Sequence, residues 1–84
     1  MKLNKKLVDE AIRLNKKYYR THDNDFMRAA LNAKDRAFGQ DAHWIDEIIT
    51  GITWKRGDRN EPYETYYKVL EVLGFEVVED EEKN

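Results

Sequence analysis

The chain has 84 residues, no cysteine, no serine and a formal net charge of -2; at this length folding buries only about 60% of the unfolded surface, which leaves one domain and no room for a deep enclosed active site. The lack of cysteine excludes a disulfide framework and a thiolate metal site. No stretch approaches the roughly 18 apolar residues of a membrane span, and the first residues lack the apolar core of a secretory leader, so the expectation is a cytoplasmic protein that contacts no membrane.

The average charge hides a division along the chain. Residues 1–60 hold 13 Lys/Arg against 9 Asp/Glu, whereas residues 61–84 hold 2 against 8. Such polarity permits one basic and one acidic surface.

Asn4 suits the cap of a first helix, because its side chain can accept from an otherwise unpaired amide of the opening turn. Leu7, Ala11, Leu14 and Tyr18, flanked by Val8, Ile12 and Tyr19, then form one wide apolar stripe through about Arg20. The other face is rich in Lys and Arg and reads first as a solvated surface. His22, Asp23, Asn24 and Asp25 are short polar side chains suited to a turn that caps a second helix over residues 25 to 37. Phe26, Ala30, Ala33 and Ala37 share a face of that helix, and its alanines allow another helix to approach closely.

Phe38, Gly39, Gln40 and Asp41 interrupt the pattern, with Gly39 free to take a positive φ and Asp41 placed to cap a third helix. There Trp44, Ile45, Ile48 and Ile49 read as core, while His43, Asp46, Glu47 and Thr50 point outward. Gly51 is expected to end this helix, and residues 52 to 61 read as a loop or short hairpin carrying Trp54, Lys55, Arg56 and Arg59. Pro62 suits the first position of a fourth helix with a stripe of Tyr63, Tyr66, Tyr67, Leu70 and Leu73, stopped by Gly74. Residues 75 to 79 lean towards β structure and need a partner, either residues 52 to 55 or the same strand of a second subunit. The division is one domain over residues 1–79 and a charged tail over 80–84.

Two stretches carry a resemblance. Glu61-Pro62-Tyr63 opening a helix that closes on Val72-Leu73-Gly74-Phe75, and Phe38-Gly39 followed by Ile45, Ile48 and Gly51, resemble the closing helix and the turn with recognition helix of the phage-repressor and Cro-type helix-turn-helix family. The likeness spans residues 25 to 78, with an enlarged loop before the last helix. It implies a mainly α, four-to-five-helix, lambda-repressor-like domain, with a short β-hairpin or C-terminal strand as an addition. It also implies a sequence-specific DNA-binding transcriptional regulator, a repressor of phage or mobile-element origin, acting on double-stranded DNA as a homodimer. In that frame Gln40 and His43 offer hydrogen bonds to base edges, and Lys34, Arg36, Lys55, Arg56 and Arg59 hold the phosphates. The subunit contact would be residues 75 to 79 or the tyrosine face of the fourth helix.

The rival is a non-catalytic protein-binding module, an inhibitor or antitoxin that docks a host protein through acidic surface. Asp46, Glu47 and the acidic last third favour it, because carboxylates oppose entry into a phosphate-walled groove. Catalysis is not expected: there is no Cys or Ser nucleophile, the two histidines lie in different elements, and no glycine-rich phosphate loop exists. No cofactor is implied and no metal site, since His43 and Glu47 alone are an incomplete ligand set.

Overall fold

A computed structural model describes residues 2–55 and 63–79, with side chains placed for 2–51 and 63–79. The order is strand β1 (Lys2–Asn4), helices α1 (Lys5–Thr21) and α2 (Asn24–Phe38), a 3-10 turn (Gly39–Asp41), helices α3 (Ala42–Lys55) and α4 (Tyr63–Val72), and strand β2 (Glu76–Val78). The mainly helical class is the one read from the sequence.

Helix α1 begins where its cap predicts: Asn4 Oδ1 accepts the Leu7 amide at 3.2 Å. Its inward face buries Val8, Ala11, Ile12 and Leu14, and also Asn15, a polar residue outside the apolar stripe. His22 closes it in the left-handed region at φ 57°, with its N–H donating to the Tyr18 carbonyl. Asp23 then caps α2, its carboxylate accepting the Asp25 amide at 2.8 Å. A connection of only two residues folds α2 back along α1 as a helical hairpin. Ala30, Ala33 and Ala37 lie buried on α2, and their small size brings the two backbones together. Phe38 completes this seam within the core.

Helix α3 differs from expectation at its end. Gly51 lies inside the helix, which runs on to Lys55. Positive φ is confined to His22, Gly39 and Gly74 among the described residues, and a Cβ at Gly51 would meet nothing within 4 Å, so this glycine answers no turn or close approach. An interior glycine costs about 1 kcal/mol relative to alanine, and continuing an established helix still gains a hydrogen bond per residue. The β-leaning residues 52–55 follow the helix instead. Ile45 and Ile49 are buried, Ile48 only partly. Trp44, expected in the core, is 38% exposed; its ring leans on Phe75 at 5.5 Å and its indole N–H donates to Asp41.

Helix α4 buries Tyr66 and Leu70, while Leu73 and Val72 face outward, so the apolar stripe is shorter than its spacing suggests. Gly74, at φ 102°, turns the chain, and the Phe75 N–H reaches back to the Leu70 carbonyl at 2.9 Å. Pro62 lies outside the described residues.

The strand at the C-terminal end has a partner that was not anticipated. β2 pairs in parallel with β1, in the register Lys2 to Glu76, Leu3 to Val77 and Asn4 to Val78. Neither residues 52–55 nor a second subunit is needed for that pairing, and the tyrosine face of α4 is likewise used within the chain. Tyr66 is fully buried, Tyr67 donates its hydroxyl to Asp9 of α1, and Lys16 of α1 lies over the Tyr63 and Tyr66 rings at 5.0 and 5.6 Å.

The Tyr67–Asp9 contact fixes α4 to α1 and has a pH signature. Burial first, then the bond to Asp9 and its charge, push the Tyr67 phenol from 10.0 to about 12. A raised folded-state value favours the neutral form. Its stabilisation is therefore complete below the unfolded value near 10 and is lost as pH climbs through about 12. Ultraviolet titration should show Tyr67 among the last tyrosines to ionise, and Tyr67→Phe should remove one late-ionising group and flatten the loss of stability in that window. Loss of an ordinary tyrosine ionisation near pH 10 in the variant, with the late one retained, would mean that the latch does not form.

Candidate functional site

Two surfaces compete for the role of binding site. The first is the corner where α2, the 3-10 turn and α3 meet. Gly39, at φ 59°, makes the sharp change of direction there. Arg36 on α2, Gln40 in the 3-10 turn and His43 on α3 are all exposed.

Lys34 is not part of that exposed set. It is 5% exposed, and its ammonium is bonded to Asp46 of α3. Asp46 also accepts from the Thr50 hydroxyl at 3.3 Å. A lysine committed to a carboxylate on the neighbouring helix is a strut between α2 and α3 and no longer a free phosphate ligand, which corrects its assignment. Helical spacing could not reveal this, because position 34 falls beside Ala33 and Ala37 on the seam and its long apolar stem is buried with them. Asp46, read as outward-facing, is the partner that makes that burial tolerable.

The corner is also less basic than its named residues suggest. Asp35 and Glu47 are exposed on the same two helices, and Asp41 holds the Trp44 indole at 3.0 Å. Lys55 ends α3, but its side chain, the side chain of Trp54 and the residues Arg56 and Arg59 lie outside the described residues.

The second surface is a groove of about 470 Å³ between α4 and β2. Tyr67 and Val77 give it an apolar base, and Glu64, Glu71, Glu76 and Glu79 supply four carboxylates around it. Lys5 and Lys68 are the cations of its lining, and Lys5 is already bonded to Asp9 at 3.0 Å. That bond, more than the charge of Asp9, holds the Lys5 ammonium above its ordinary pKa. The groove exists because the Tyr67–Asp9 latch sets the position of α4 while the β1–β2 ladder sets that of β2. None of its four carboxylates stood out as a motif. The available signal was the acidic balance of residues 61–84, spread over helix and strand positions that only the fold brings together.

Among the described residues no three His, Asp or Glu side chains converge as a metal site, and no helix is long and apolar enough to cross a membrane. Comparison of the chain with protein-family models, with curated proteins and with solved structures finds no match.

The Lys34–Asp46 strut makes an asymmetric prediction. Asp46→Ala strands a buried ammonium and should cost about 2 kcal/mol, whereas Lys34→Met keeps the buried stem, leaves a partly hydrated carboxylate and should cost about 1 kcal/mol or less. Urea unfolding of the two variants checks the order, and equal losses would contradict a buried, committed Lys34.

Proposed function

We propose that this chain is a non-catalytic protein-binding module that engages a basic partner through the acidic groove between α4 and β2. The observation that carries the reading is the excess of carboxylates there: among the described residues Glu64, Glu71, Glu76 and Glu79 share the groove with Lys5 and Lys68, and Lys5 is engaged by Asp9. An apolar base ringed by like charge gives a partner both a buried contact and long-range steering, the combination that sets specificity and association rate. The absence of Cys and Ser from the sequence fits a role without covalent catalysis.

The second reading is a DNA-binding regulator on a lambda-repressor-like scaffold. In its favour stand the exposed Arg36, Gln40 and His43 at the corner between α2 and α3. Against it stand the commitment of Lys34 to Asp46 and the carboxylates of Asp35 and Glu47 on the same surface. Phosphate neutralisation by free Lys and Arg supplies most of the affinity for any duplex, so a corner of mixed charge is a weak entry.

Binding to polylysine and to a random-sequence duplex, measured side by side in low salt, separates the two. The module reading expects binding to polylysine that weakens with added salt, loss of that binding in Glu71→Lys with Glu76→Lys, and no retention on the duplex. Retention on the duplex that Arg36→Ala reduces, with no affinity for polylysine, would establish the regulator in its place.

A further inference from the structure

The sheet has two strands, so among the described residues β2 has β1 on one side and no strand on the other. An unpaired edge presents backbone N–H and C=O groups that a further extended chain can satisfy. The groove runs along β2 and reaches the end of β1: its lining takes Glu76, Val77 and Glu79, together with Lys5, the residue after Asn4. Opposite the strand, α4 contributes Tyr67 and the carboxylates of Glu64 and Glu71.

From this juxtaposition we infer that the free edge of β2 takes up an extended, lysine- or arginine-bearing segment of a partner protein as a third strand. The inference rests on the protein-binding reading above and specifies its partner. Side chains of an added strand alternate between two faces. One set would lie towards α4, beside Tyr67, Glu71 and Val77, and the other would carry its cations towards Glu76. Charge selects the occupant. A second copy of this chain would set Glu76 and Glu79 against their own equivalents, and like charges across a strand pair are destabilising. A three-residue edge offers few main-chain bonds, so the carboxylates must contribute much of the affinity and nearly all of the selectivity.

The test uses the whole protein and two probes, a short peptide of alternating lysine and valine and the same peptide N-methylated at every residue, which keeps charge and apolar surface but removes the main-chain donors. In calorimetric titration at low salt the unmethylated peptide should bind. Methylation should weaken it on the order of tenfold, the loss expected when one or two net hydrogen bonds disappear. Glu76→Lys should weaken it at least as much, and Arg36→Glu should leave it unchanged. Equal binding of the two peptides would overturn strand addition while leaving the acidic module standing. If neither peptide binds, both readings fall. If sedimentation shows a dimer that the peptide dissociates, the edge belongs to a second copy and the inference is wrong.

Discussion

The groove between α4 and β2 depends on how segments from the two ends of the sequence are held together. Tyr67 of α4 and Asp9 of α1 are 58 residues apart, and the β1–β2 ladder joins Lys2–Asn4 to Glu76–Val78. Closing so long a loop costs conformational entropy, but the cost rises only slowly with length, so a modest set of buried contacts suffices. Tyr66, Leu70 and Phe75 provide them, all sunk into the core that the α1–α2 hairpin builds from local contacts. The acidic groove follows from that closure, because one wall is α4 and the other is β2.

The electrostatics follow the same division. Several cations of the first two helices are engaged within the fold: Lys34 with Asp46, Lys5 with Asp9, Arg13 with Glu10 at 2.9 Å, and Lys16 and Lys17 over aromatic rings. Among the described residues the carboxylates of the groove lining share it with two cations, Lys5 and Lys68. A chain whose average charge is nearly balanced thus presents one surface of mixed sign at the α2–α3 corner and one of excess negative charge. Solvent and salt will screen the groove at long range, but under the proposed function its apolar base would give a docked partner a water-poor contact in which the remaining charges count for more.

Much of the helical framework was legible in the residues themselves. Asn4, Asp23 and Gly74 mark element ends by local chemistry that acts within a few residues, and the stripes on α1 and α2 mark their buried faces by spacing alone. What could not be read depended on distant partners. Lys2–Asn4 holds a single apolar residue, too short for any periodicity, and becomes a strand only because β2 arrives beside it. Gly51 carries a stop signal that helix propagation overrides. Lys34 looks like a surface cation until Asp46 is brought across from α3, and the four glutamates of the groove are unrelated in sequence. The candidate site was therefore visible as a charge imbalance, and the assignment of a phosphate contact to Lys34 came from the helix-turn-helix resemblance, which does not show a cross-helix ion pair.

The claim that the α4–β2 groove is the working surface is tested most directly by amide chemical-shift mapping of the labelled protein during titration with polylysine and, separately, with a random-sequence duplex. The account predicts polylysine perturbations gathered at Lys5, Glu64, Tyr67, Glu71 and Glu76–Val78, with the duplex leaving the spectrum unchanged. Duplex-induced shifts centred on Arg36, Gln40 and His43, with the groove silent towards polylysine, would contradict it.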